Sequence, residues 1–247
     1  MLGSQDSLSN CNVVLNTIAA EAFEEACDRL EKAEDFDKEL NALIVEYTEK
    51  HKRIIFSGNG YSKEWQEEAQ RRGLPNLPTM VDAIPALTTD ASIEMFEHFK
   101  VFTKAELSAR AEIQYEIYAK AINIEARTMI DMATKQIIPA VVKYTTVLAE
   151  SVNQVRTAGG NYNVSVQERL LEKTSALLAE SYEALNHLAE VTEEIEKKEE
   201  GPERARYCLD VIMPAMTALR TPVDKLEMIV DKEMWPMPSY GALIFIL

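Results

Sequence analysis

Residues 103–160 read TKAELSARAEIQYEIYAKAINIEARTMIDMATKQIIPAVVKYTTVLAESVNQVRTAGG, and this stretch decides the fold. Thr103 and Glu106 stand three apart, the spacing of a capping box in which each side chain satisfies a free backbone donor of the other. The helix that starts there runs to about Thr157, with Pro139 as a kink. Gly159-Gly160 closes it. A helix of that length cannot bury an apolar face alone, so it needs long neighbours.

The neighbours follow at once. Ser165-Val-Gln-Glu168 repeats the capping-box spacing and opens a second helix, apolar at Leu171, Thr174, Leu178, Tyr182, Leu185, Leu188, Thr192 and Ile195. The charged run EEIEKKEE and then Gly201-Pro202 end it. A third stretch starts near Glu203 and carries Cys208, Leu209, Met213, Met216, Leu219, Val223, Leu226 and Val230. Pro214 and Pro222 mark kinks or breaks in it. Long helices joined by short Gly-containing turns pack antiparallel. The expectation is a long antiparallel three-helix bundle.

Working back toward the N-terminus, Val14, Ile18, Ala22, Ala26 and Leu30 recur at helical spacing between Asn12 and Lys32, and Phe36–His51 forms a second helix. Gly58-Asn59-Gly60 is a turn, and Ser62 caps a short helix ending at Gly73. Residues 74–90, LPNLPTMVDAIPALTTD, hold Pro75, Pro78 and Pro85 and cannot form one regular helix. A short helix over Ile93–Phe99 follows. The closing MWPMPSYGALIFIL reads as non-helical, with an apolar, β-prone hexamer from Ala242 to Leu247 that is an aggregation hazard unless covered. The fold class is therefore all-α: a helical layer over 1–100, a bundle over 101–233 and a short extended apolar tail over 234–247.

Composition agrees. Gly is scarce at 8 of 247 residues and aromatics make up 7%, which suits long helices better than turn-rich sheets. The net charge of −15 argues against nucleic acid and anionic membranes as partners. Cys11, Cys27 and Cys208 match neither a disulfide framework nor a zinc spacing, and read as reduced thiols. No apolar run approaches the roughly 20 residues that span a bilayer. A cytoplasmic protein is expected.

Candidate chemistry is thin. Glu94/His98 and Glu183/His187 each place a carboxylate one helical turn before a histidine. Di-iron bundles use Glu-x-x-His instead, so both pairs read as helix-surface contacts rather than metal ligands. His51 reads as solvated. Ser57-Gly-Asn-Gly60 has no Walker lysine and no G-x-G-x-x-G pattern, so it reads as a turn rather than a phosphate loop. Glu193–Glu200 reads as a solvated helix end, and Met213, Met216 and Met228 as core filler. No catalytic, cofactor-binding or metal-binding residue is assigned.

Several stretches together resemble the C-terminal part of a type III glutamine synthetase: SLSNCNVVLNTIAAEAF, HKRIIFSGNGYSKEWQEEAQRRGLPNLPTMVDAIPAL, NIEARTMIDMATKQIIPAVVKYTTVLAESVNQV and MWPMPSYGALIFIL. The likeness covers essentially the whole chain. Leu77–Ile84 is similar to the family's Leu-Pro-x-Ser-Leu-x-Glu-Ala-Leu element, with Asp82 in place of glutamate. Asn10-Cys11-Asn12 departs from the Ser-Ala-Asn-Pro-Tyr-like stretch of most of the superfamily.

The resemblance implies a parent enzyme that joins ammonia to glutamate with ATP and Mg²⁺ or Mn²⁺. It implies that the catalytic motifs precede Met1, that MLGSQDSLSN is a loop just past a catalytic strand, and that this chain alone is inactive. It also implies two partners: the remainder of the catalytic domain, and further copies in stacked rings. The alternatives are a free-standing helical assembly or regulatory module without enzymatic activity, and a helical metal or ligand binder.

Overall fold

The computed structural model describes residues 7–244, and every regular element among them is helical. The chain divides into two compact units, Met1–Ala111 and Glu112–Leu247.

In the first unit, α1 (Ser9–Leu30) and α2 (Phe36–Lys50) are followed by α3 (Lys63–Arg71), the short α4 (Met80–Ala83) and α5 (Asp90–His98). Each of the last four starts at a side-chain cap, where Asp35, Ser62, Thr79 or Thr89 accepts from a backbone N–H three residues on. The Thr79 hydroxyl also donates to Asp82 Oδ2 at 2.5 Å, so the two side chains hold the first turn of α4 together. Arg29 ties α1 to α2 by reaching both Glu39 and Glu46. That contact holds the Glu46 carboxyl below its ordinary range.

The core of this unit is small. Met95, Phe96 and Leu107 are buried, with Val13, Val14, Ile93, Phe99 and Phe102 packed around them. On α1 the fully packed residue is Thr17, whose hydroxyl donates to the Val13 carbonyl at 2.8 Å. Ile18 and Ala22, on the apolar spacing that marks the helix in sequence, are exposed, and so are Leu15 and Phe23. α1 thus buries one face and leaves a second, more apolar one open.

The second unit is built on α6 (Lys104–Met132), which begins in the first unit, α7 (Ile138–Thr157), α8 (Ser165–Glu193), α9 (Pro202–Tyr207) and α10 (Met213–Glu227). The Thr103 box forms as its spacing predicts: the Thr103 N–H donates to Glu106 Oε2 at 2.8 Å, and the Glu106 N–H to Thr103 Oγ1 at 3.3 Å. The Ser165 box does not form. Ser165 is already the first helical residue, its N–H donates to Asn163 Oδ1 at 2.9 Å, and Glu168 is drawn to Arg156 across the turn.

Two core clusters fix the register of this unit. Ala119, Ile122, Ala126 and Ala133 meet Leu185, Leu188 and Ile195, together with Cys208, Ile212 and Leu219. Further along, Ile137 and Val141 meet Leu177, Leu226 and Val230. Early residues of the first arm thus face late residues of α8, and late α8 faces the start of the third arm, so successive arms run antiparallel. α8 packs on both α7 and α10.

The buried seam of α8 is Thr174, Leu177, Ser181, Leu185, Leu188 and Thr192. Tyr182, expected inside, is 55% exposed, and the small Ser181 takes the inward place with its hydroxyl on the Leu177 carbonyl at 2.7 Å. On the third arm the seam is Ala205, Cys208, Ile212, Ala215, Leu219, Pro222 and Leu226, an alternation of three and four. Met213 and Met228 lie outside that seam and are 40% and 85% exposed, which corrects their reading as core filler. Cys208 is fully buried, and burial pushes its thiol up to about 11.

Neither Pro139 nor Pro214 ends its arm. Each is preceded by a single π-helical turn, Ala133–Ile137 and Cys208–Ile212, in which Ile138 N–H reaches Ala133 O and Met213 N–H reaches Cys208 O. A proline in an α-helix removes one hydrogen bond and drives its ring into the carbonyl four residues back. The wider π turn gives the ring room, and the arm continues.

The tail also departs from expectation. Tyr240–Ile244 is a short helix, α11, because Ser239 after Pro238 accepts from the Ala242 N–H at 3.3 Å and starts a turn. The last three residues of the apolar hexamer lie outside the described residues.

Candidate functional site

The GNG loop carries the most built local geometry. Phe56 stacks on Trp65 with centroids 4.4 Å apart, and Arg72 lies 5.7 Å over the Trp65 ring. Arg72 also donates to the carbonyls of Arg53 and Ile55 at 3.2 and 2.8 Å, fastening the preceding segment to the end of α3. Within the loop, Asn59 Oδ1 accepts from the Tyr61 N–H at 3.0 Å and the Ser62 N–H donates to Asn59 O at 3.1 Å. A side chain at Gly58 would meet the Phe56 ring at 2.5 Å, which is why glycine stands there. The two bonds at Asn59 close a tight turn that presents Tyr61 at 98% exposure.

The histidines are arranged differently from their sequence pairs. His98 Nε2 lies 2.5 Å from Glu24 Oε2 of α1, not against Glu94. His51 meets the edge of Tyr47 at 5.9 Å. Both histidines line one groove of the first unit, floored by Ile18, Ala22 and Ile54 and edged by Glu21 and Glu25. Burial, and then the nearby Glu25 charge, raises the Tyr47 hydroxyl above its ordinary range.

Among the described residues no group of three or more His, Cys, Asp or Glu side chains converges as a metal ion requires. No helix among the described residues is long and apolar enough to cross a membrane.

Three features were missed in sequence. The Arg72 clip joins residues 17 to 19 apart, beyond the reach of any local pattern. The Glu24–His98 pair spans 74 residues. The two π turns do carry a signal: Ala133-x-x-x-Ile-Ile-Pro-Ala140 and Cys208-x-x-x-Ile-Met-Pro-Ala215 are one short pattern written twice.

Known proteins match along this scaffold. Residues 39–156 match the glutamine synthetase C-terminal domain family. A glutamine synthetase of Butyrivibrio fibrisolvens is 33% identical over 214 residues, covering 87% of this chain and 31% of that protein. A type-3 glutamine synthetase of Dictyostelium discoideum is 30% identical over 256 residues, 99% of this chain and 34% of that protein. A glutamine synthetase of Bacteroides fragilis (strain YCH46) is 28% identical over 251 residues, 98% and 34% respectively. The chain spans about a third of the length of the curated relatives it matches. With a C-terminal domain match inside a likeness that runs nearly end to end, the chain belongs to the glutamine synthetase family and represents its C-terminal region, with relatives of type 3.

Proposed function

We propose that this chain is the non-catalytic, scaffolding and assembly region of a type III glutamine synthetase, an enzyme that makes glutamine from glutamate and ammonia with ATP and Mg²⁺ or Mn²⁺. The observation that carries it is the open face of the first unit. Leu15, Ile18 and Phe23 of α1 are 62%, 48% and 70% exposed, and Ile44 and Val45 of α2 are 54% and 58% exposed. Apolar side chains at helical spacing with nothing over them mark a surface made to be covered. The cover in this reading is the catalytic portion of the same enzyme, and the match of residues 39–156 to a glutamine synthetase C-terminal domain supports it. The second unit adds subunit contacts in a ring assembly. The setting is the cytoplasm, in keeping with thiols and an acidic surface.

The roles within the chain follow its chemistry. Many of its charged side chains pair with one another, along one helix as Lys120 does with Glu116 or between helices as Arg29 does with Glu39. A free-standing helical module leaves the open face of α1 and α2 without a purpose. Purified chain supplied with glutamate, ammonia, ATP and Mg²⁺ is expected to form no glutamine. Steady turnover by the pure chain would overturn its non-catalytic role.

A further inference from the structure

The helix α6 is amphipathic twice. Tyr115, Ala119, Ile122 and Ala126 are buried on one side. On the other, Ile113, Ile117 and Ile124 stand 51%, 57% and 65% exposed. With Lys120 they recur at intervals of four, three and four, the spacing of a second helix-packing seam. Isoleucine is a mediocre helix former, so three of them on a solvent face add nothing to this helix unless something packs there.

We infer that this seam takes α6 of a second copy of the same chain, antiparallel, about a two-fold axis beside Tyr118 and Ala119. The stripe is self-complementary in that register. Ile113 comes level with Ile124 of the second copy, and Ile117 with Lys120, whose long stem covers apolar surface while its ammonium stays wet. In a two-fold antiparallel pair, like edges of the two helices face each other. One edge of the stripe carries Glu112, Glu116, Asn123 and Arg127. Glu116 then falls within about one residue of the second copy's Lys120, and Glu112 within about two residues, roughly 3 Å along the axis, of its Arg127. Each pair occurs twice, so opposite charges meet at four places.

The partners these groups have within the chain leave them able to do this. Lys120 bonds Glu116 along the helix surface. Arg127 donates to Asn123 Oδ1 at 3.0 Å and lies 3.6 Å from Glu196, both pairs exposed. A seam of about four turns covers less than the roughly 1,200 Å² of a standard specific interface, so the pairing is weak by itself. The net charge of −15 opposes it further until salt screens the long-range repulsion. It deepens the assembly role proposed above by naming the element and the register through which copies meet. Its readout is sedimentation, independent of any glutamine assay, so either idea can fail without the other.

The test is analytical ultracentrifugation of the whole chain in 0.15 M salt, where the Debye length is about 8 Å, from micromolar to millimolar concentration. The weight-average mass is expected to rise from 27.9 kDa toward twice that value. The triple variant Ile113→Gln/Ile117→Gln/Ile124→Gln, confined to exposed positions, should stay monomeric with unchanged helix content. Glu112→Arg and Arg127→Glu should each raise the dissociation constant roughly tenfold, because each reversed pair occurs twice. The two combined should restore it to within about threefold. Rescue is diagnostic: the two residues lie about four helical turns apart and cannot meet within one helix. A chain monomeric throughout, self-association untouched by the triple variant, single reversals without effect, or a double reversal that fails to rescue would each overturn the seam.

Discussion

Thr174 shows how a single position can be read correctly for burial and wrongly for comfort. It falls on the apolar spacing of α8 and is fully buried, but its hydroxyl has no hydrogen-bond partner. Ser181 and Thr192 on the same seam each donate to the carbonyl four residues back, at 2.7 and 2.6 Å. A buried hydroxyl without a partner costs on the order of 1–3 kcal/mol, and valine has nearly the same shape. Thr174→Val is therefore expected to raise unfolding stability by about 1 kcal/mol in urea titration. A loss would mean that the hydroxyl is satisfied.

Glu106 is the opposite case, a surface residue whose work was legible from spacing alone. The Thr103 N–H, and then the Thr103 hydroxyl, hold its carboxyl below the ordinary range. A depressed folded value contributes stability above the unfolded pKa, and that contribution is lost as pH falls through the folded one. Glu106→Gln should accordingly be less stable than the parent at neutral pH. The difference should shrink as pH drops below about 4.5 and the parent carboxyl protonates. A gap independent of pH would place the effect in packing rather than charge.

At the scale of elements, helix existence was legible and helix faces were only partly so. Caps, glycines and the three-and-four spacing mark α1, α2, α5, α6 and α8 because those signals are local. Which face is buried depends on what packs there, and Ile18 and Tyr182 point outward for that reason. The tail misled because its β-prone residues were weighed without Ser239, which starts a turn three positions before Ala242.

The prolines misled in a more instructive way. Pro139 reads as a kink and Pro214 as a kink or break, but each sits just past a π turn that accommodates it, whereas Pro222 lies inside α10 without one. In an ordinary helix interior, proline costs about 3 kcal/mol relative to alanine. With the clash already relieved, Pro139→Ala and Pro214→Ala are each expected to change stability by less than about 1 kcal/mol. A gain near 3 kcal/mol in equilibrium unfolding would show that the prolines strain their arms.

Taken whole, the molecule is one well-buried helical unit and one thinly buried helical unit. The second unit has continuous seams on all three arms, and its core is closed by its own residues. In the first, Met95, Phe96 and Leu107 form one buried cluster, while Leu15, Ile18 and Phe23 of α1 stand exposed. That contrast could not be read from sequence, because periodicity reports that a face is apolar and not whether anything covers it. The identity of the scaffold came from long matching stretches rather than from any single residue.

The most direct test is a graft. The region of the Butyrivibrio fibrisolvens glutamine synthetase to which this chain is 33% identical is replaced by the matching 214 residues of this chain. ATP-dependent glutamine formation by the purified chimera is then measured. If this region is scaffold, the chimera keeps the parent enzyme's own catalytic residues and should retain activity within about tenfold, a loss of no more than about 1.4 kcal/mol in transition-state stabilisation. A chimera that is folded and sediments at the size of the parent, but forms no glutamine, would contradict a purely scaffolding role.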